Sequence, residues 1–233
     1  MITVSEHWRQ ALIARGVSAD KCSVVMNVAD HAVFYPPEGP RGRPADDSSL
    51  RLIYHGVVGY RHGLDLVLRA VSRVRQEIPG IHLIIRGTGE YLSDLMNLAE
   101  ELDLGEHVQF IVKSLSLTDL RHLILSADIG LAPYRNDVFT DGIVPTKLME
   151  YAALGMPAIA ARTSAIKAYF QGTMVEFFTP SDVDDLCRCI LTLNRNRARL
   201  AELSRGAEAF NQRYNWANIG DEYVRLVDRL FTR

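Results

Sequence analysis

Cysteine is scarce in this chain: Cys22, Cys187 and Cys189 are the only three among 233 residues. They have neither the spacing of a zinc site nor the density of a disulfide framework, and they point to a reducing compartment. Long apolar runs are missing as well. None approaches the roughly 20 residues that span a bilayer, and charged and polar residues interrupt Met1 to Arg15, where a secretion signal would be apolar. A cytoplasmic location is therefore expected. Charge of one sign is absent too, since 26 Lys and Arg face 28 Asp and Glu for a formal net charge of −2. That balance gives no footing for a nucleic-acid partner. No set of His, Cys, Asp and Glu has metal-ligand spacing, so no metal site is expected. A P-loop, a Gly-x-Ser-x-Gly elbow, internal repeats and low-complexity tracts are all lacking. What remains is an ordinary globular composition, 48% hydrophobic and 23% charged. The length suits one well-cored domain with extensions.

The pattern of short apolar runs is more informative. Ile2-Thr3-Val4, a helix Glu6 to Arg15 with Ser5 as its N-cap, and Cys22 to Met26 form a strand–helix–strand fragment. It reads either as the first βαβ of the same domain or as the last piece of a preceding one. Pro36 to Ser49 has no periodicity and reads as a linker. From Leu52 onward, strands at Leu52–Gly56, Ile81–Ile85, Val108–Val112, Ala127–Ala132, Ala158–Ala160 and Val175–Phe178 alternate with helices, one of them introduced by Thr118. That alternation specifies a doubly wound parallel α/β sheet. Ligands in such sheets bind beyond the carboxyl ends of strands. The loops Gly56–Gly63, Gly87–Glu90, Ile111–Ser114 and Tyr134–Val144 should therefore gather at one edge.

The stretch Thr140-Asp141-Gly142-Ile143-Val144-Pro145-Thr146-Lys147-Leu148-Met149-Glu150-Tyr151 is the chemical centre of the sequence. It reads as a loop ending on a helix N-terminus, with Pro145 in the first turn and Gly155 as the stop. Free amides at a helix start bind anions, phosphate above all. Lys147 and Glu150, three residues apart, share a face and can flank a nucleoside diphosphate, with the carboxylate accepting from both ribose hydroxyls. Asp141 lies nine residues before Glu150 and is a candidate partner for a sugar hydroxyl, or else a capping residue. Arg61, at the end of the first large strand, can meet the phosphates from the other side. Gly87-Thr88-Gly89 lacks the third glycine of a dinucleotide fingerprint, Leu92 standing in its place. The pair either admits a ligand to the backbone or makes a tight turn. His55 reads as a core-edge histidine with a satisfied hydrogen bond, or as a substrate contact.

These residues resemble a family. Tyr54-His55-Gly56 to Gly63-Leu64-Asp65, Arg86-Gly87-Thr88-Gly89, Ala127 to Tyr134 and above all Pro145-Thr146-Lys147-Leu148-Met149-Glu150-Tyr151 with Ala153-Leu154-Gly155-Met156-Pro157 are similar to the nucleotide-sugar domain of retaining, family 4-type glycosyltransferases of the GT-B fold. The segment Ser5 to Pro36 looks like the interdomain connection, and Tyr214-Asn215-Trp216 like the start of the helix that crosses back. The resemblance covers nearly the whole chain but only about half of such an enzyme. It implies a remnant of the N-terminal domain over 1–36, a linker over 37–49, a Rossmann-like donor domain over 50–213 and a crossing helix over 214–233.

The resemblance also implies a reaction: a sugar passes from a nucleoside diphosphate-sugar to a glycan or lipid-linked acceptor with retention at the anomeric carbon. No cofactor is needed beyond the donor. Peripheral membrane association and a separate N-terminal domain holding the acceptor come with it. The ribose-holding acid falls on Glu150. The strict position of the sugar-side acid is Gly142, with Asp141 beside it. The two cations usual after the first strand fall on Val57 and His62, which passes that role to Arg61. Lys147, Val144, Pro145 and Thr146 would hold phosphate, Gly56, Gly87 and Gly89 would admit the nucleotide, and the backbone of Ile111 and Val112 would meet the base. Competing readings are a non-catalytic nucleotide-sugar module or partner subunit, and a nucleotide-sugar epimerase. A phosphorylase lacks its pyridoxal-phosphate lysine context here, and a dehydrogenase lacks its glycines.

Overall fold

The computed structural model describes residues 1–37 and 49–231. Most of the expected linker, residues 38–48, lies outside the described residues. The elements run β1 (Ile2–Thr3), α1 (Glu6–Ala14), β2 (Ser23–Val24), β3 (Ser49–His55), α2 (Leu64–Val74), β4 (Gly80–Arg86), α3 (Leu92–Glu101), β5 (Val108–Ile111), α4 (Leu117–Leu125) and β6 (Ile129–Ala132). They continue with α5 (Thr146–Ala153), β7 (Ala158–Ala161), α6 (Ser164–Tyr169), β8 (Glu176–Phe178), α7 (Val183–Arg195), α8 (Arg197–Arg213) and α9 (Trp216–Phe231).

Six strands form one sheet in the order β5-β4-β3-β6-β7-β8, and every pairing is parallel. The α/β, Rossmann-like doubly wound fold expected from the alternation is therefore present. Its order reverses between β3 and β6, which makes the loops after those two strands diverge and leave a crevice. Strands β3, β4, β6 and β7 are largely buried and rich in Ile, Leu and Ala, as a sheet covered on both faces requires, while the edge strand β5 is partly exposed. In α2, Leu64, Val67, Leu68, Val71 and Val74 recur at helical spacing and are buried. The helix packs against α3 and α7, and α5 packs against α8.

β1 and β2 form their own two-stranded parallel sheet, separate from the large one. This unit docks through α1. The Glu6 amide donates to the Tyr169 hydroxyl at 2.7 Å, and the Ser5 hydroxyl reaches the Gly142 carbonyl at 3.5 Å. Ser5 also caps α1 as expected, accepting from the Trp8 amide. The strip after β2 is tied down as well. Phe34 is buried, and the Arg121 guanidinium stacks on Tyr35 and donates to its carbonyl at 3.0 Å.

Two boundary expectations need correction. The cap of α4 is Ser116, which accepts from the Asp119 amide, so Thr118 sits inside the first turn. Pro145 is the residue before α5 and not within it, because its ψ of 133° is extended. Its carbonyl still accepts the Leu148 amide at 3.0 Å, and the helix begins at Thr146.

Candidate functional site

The start of α5 faces the crevice. Pro145 places no side chain on the first amides of the helix, and Thr146 is exposed there, while Val144 is half-buried against the core. Within the first turn, Lys147 is only 7% exposed. Its Nζ donates to the Tyr134 hydroxyl at 2.9 Å and lies 4.5 Å from the Tyr54 ring centroid. Burial pulls its pKa down to about 8, partly opposed by Glu150. An ammonium has three donors, so one hydrogen bond leaves others for an anion. A Cβ placed on Gly56 would sit 3.6 Å from that Nζ, which fixes the end of β3 beside the cation.

Glu150, one turn further, is pushed up to about 7 by burial, with Lys147 pulling the other way. Its Oε2 lies 3.1 Å from His55 Nε2. The ring and the carboxylate are not aligned, so neither atom has a hydrogen-bond partner. His55 is held down to about 3 by burial and by the cations Lys147 and Arg86, and it is neutral at physiological pH. The contact is therefore no ion pair. His55 does not have the satisfied hydrogen bond expected of a core-edge histidine. A buried carboxylate oxygen without a donor fits a ligand that brings hydroxyls.

A cavity of about 310 Å³ opens beside this pair, at the carboxyl ends of β3, β4 and β5. Gly56, Val57, Arg86, Gly87, Thr88, Val112 and Ser114 line it. Three of the four loops expected to converge line this cavity, and the fourth, Tyr134–Val144, joins the first where the Arg135 amide donates to the Arg61 carbonyl at 3.0 Å. Ile111 contributes differently: its carbonyl accepts the Gly87 amide at 3.1 Å. Gly87 has φ +151°, and a Cβ there would fall 1.8 Å from the Gly56 carbonyl oxygen. At Gly89 it would fall 2.1 Å from the Val58 carbonyl oxygen. The pair therefore admits the neighbouring loop, and only Gly87 also borders the cavity. A larger cavity, about 590 Å³, lies between β2 and α9 and is lined by none of the predicted site residues.

Two expected residues stand apart from Lys147 and Glu150. Arg61 is exposed in a 3-10 turn, Tyr60–His62, with its guanidinium 5.0 Å from the Phe139 ring centroid. The Oδ1 of Asp141 accepts from the Ser164 amide, the first of α6, at 2.8 Å. It thus satisfies an amide of α6, not of α5, beside Thr163, the N-cap of that helix. Gly142 has no room for a side chain, because a Cβ would lie 2.8 Å from both the His7 and Trp8 rings.

Sequence reasoning passed over Tyr134, the acceptor for Lys147, and Arg86, the cation of the cavity. Arg86 carries a signal in hindsight: it ends the apolar run of β4 directly before a glycine turn. Among the described residues no group of His, Cys, Asp and Glu is arranged to hold a metal ion.

The model of the glycosyl transferases group 1 family matches residues 39–209. A GDP-mannose-dependent alpha-(1-6)-phosphatidylinositol monomannoside mannosyltransferase of Mycolicibacterium smegmatis is 28% identical, over 72% of this chain and 44% of its own length. The phosphatidylinositol N-acetylglucosaminyltransferase gpi3 subunit of Schizosaccharomyces pombe is 22% identical over 99% of this chain and 48% of its own. The chain thus spans about half the length of these curated relatives. The fold is shared with HepE of Anabaena, solved in complex with UDP, at a TM-score of 0.82 and 18% identity over 98% of this chain and 63% of that one.

Proposed function

Because the chain belongs to the glycosyl transferases group 1 family, we propose that it is the donor-binding half of a glycosyltransferase. The donor is a nucleoside diphosphate-sugar, and the sugar passes with retention to a glycan or lipid-linked acceptor. The observation that carries this reading is the buried Lys147–Glu150 pair at the uncapped start of α5, with its unpartnered carboxylate oxygen. Lys147 and the α5 amides hold the diphosphate, and Glu150 accepts from the ribose. As the sugar leaves, charge grows on the diphosphate, and preorganised donors in a dry site stabilise that charge more than they stabilise the ground state. Arg61 adds a second cation from the rim. Asp141 serves the sugar through its Oδ2, its Oδ1 being engaged with α6. No cofactor beyond the donor is assigned.

The names of the two relatives above contain phosphatidylinositol, which supports a lipid-linked acceptor and a peripheral place on a membrane, on its cytoplasmic side. No helix among the described residues is long and apolar enough to cross one. A further N-terminal domain would hold the acceptor.

Calorimetric titration of the chain with UDP-, GDP- and ADP-glucose tests the donor site. One of the three should bind, and Glu150→Gln should weaken it about 10- to 100-fold, the worth of hydrogen bonds to a charged group. Failure of all three to bind would sink the reading. One observation favours a second reading, a non-catalytic nucleotide-sugar module: Gly142 stands where the family has an acid, and Asp141 is tied to α6. Binding without transfer, with every partner supplied, would select it.

A further inference from the structure

Strand order sets the direction in which a bound nucleotide runs. α5 follows β6, and β3, β4 and β5 lie successively farther out. A donor with its diphosphate at the start of α5 and its ribose on Glu150 extends its base over β3 toward β4 and β5. The cavity of about 310 Å³ lies at that place. Arg86 is the last residue of β4, level with His55 on β3 and Ile111 on β5, one strand beyond the histidine that touches Glu150. Its side chain lines the cavity, and its Nε is buried without a hydrogen-bond partner. An unpaired buried N–H is costly, and an acceptor carried by a ligand offsets that cost. The diphosphate already has Lys147 and the helix amides on the α5 side of Gly56. What reaches Arg86 is the far end of the nucleotide.

We infer that Arg86 reads the base of the donor and that the cavity takes a keto base, guanine or uracil, in preference to adenine. This rests on the nucleotide-sugar reading of the site. A guanidinium is a planar fork of donors with no acceptor. Guanine offers it two adjacent acceptors, O6 and N7, and uracil offers a carbonyl oxygen. Adenine sets an amino group beside N7, so donor would face donor. Val112 packs on the ring, and Ser114 can complement whichever edge is left.

The test is calorimetric titration of the chain with GDP, UDP, ADP and inorganic diphosphate, for the natural sequence, Arg86→Gln and Arg86→Lys. The natural chain should bind GDP or UDP at least tenfold more tightly than ADP. Arg86→Gln should bring that nucleotide level with ADP and leave inorganic diphosphate unchanged. Arg86→Lys should behave like the glutamine variant, because a point charge lacks the fork. Melting curves of both variants should match the natural chain, since the Nε makes no internal hydrogen bond. Equal binding of all three nucleotides to the natural chain would overturn the inference alone. So would an equal loss for ADP and diphosphate in Arg86→Gln, or full rescue by lysine, since either would place Arg86 on phosphate. No binding of any nucleotide would overturn both this inference and the donor-site reading beneath it.

Discussion

Lys147 and Glu150 are ionised together only in a narrow window. Burial lifts Glu150 to about 7 and lowers Lys147 to about 8, against ordinary values of 4.5 and 10.5. For Glu150 the folded pKa is the higher one, so its stabilising contribution is complete below about 4.5 and is lost as pH rises to about 7. For Lys147 the folded pKa is the lower one, so its contribution is complete above about 10.5 and is lost as pH falls to about 8. Between the two values the free chain carries both charges at a cost in stability. A diphosphate and a ribose offset that cost by supplying an anion and hydroxyl donors. The increase in melting temperature caused by a saturating nucleoside diphosphate should therefore peak between about pH 7 and 8 and shrink on both sides. A scan of ligand-induced shift against pH reads this directly, and a flat profile from pH 5 to 10 would contradict the assignment of both groups.

At the scale of elements, the contact between α1 and the loop before α5 is the feature with most at stake. His7 and Trp8 pack onto Gly142 so closely that an added Cβ would lie 2.8 Å from each ring. Replacing Gly142 with Ala should destabilise the chain by about 1–3 kcal/mol, as overpacking a closed contact does. Limited proteolysis should then cut near α1 first, and unchanged melting and cleavage would show the contact to be slack. Much of this region was legible in sequence. The 3.6-residue spacing of α2, the Ser5 cap, the alternation of buried strands and the helix mouth at Pro145-Thr146-Lys147 are local patterns, and each is present. What was not legible is tertiary. Asp141 reads in sequence as a sugar contact or a cap of the nearby helix, yet its Oδ1 accepts from the first amide of α6, 23 residues away. Gly87 and Gly89 read in sequence as a ligand approach or a tight turn, and only the fold shows the loop of Gly56 and Val58 packed across both. His55 reads in sequence as satisfied or as a substrate contact, and only the fold shows its Nε2 stranded beside Glu150. Local rules place caps and strands, whereas a partner across the sheet has no sequence spacing to betray it.

On the proposed reading, the whole molecule presents a donor clamp with one side open. Val57 is 62% exposed, Phe139 52% and Val138 94%, and all three lie on the loops that leave β3 and β6 around the crevice. The chain spans about half the length of its curated relatives. Group transfer depends on excluding water from the reacting centre and on holding an acceptor in line. On the proposed reading, nucleotide binding draws on Lys147, Glu150, the amides of α5 and the cavity, all of which lie in this chain. The two properties should therefore separate. The 233-residue chain should bind its nucleotide and yet transfer or hydrolyse the sugar far more slowly than the 1–1,000 per second usual for enzymes. Measuring release of nucleoside diphosphate from the donor that binds, with and without sugar acceptors, checks this. A steady turnover of several per second from the chain alone would mean that it already closes its own site, and the exposed Val138–Phe139 loop would then be the segment that folds over it.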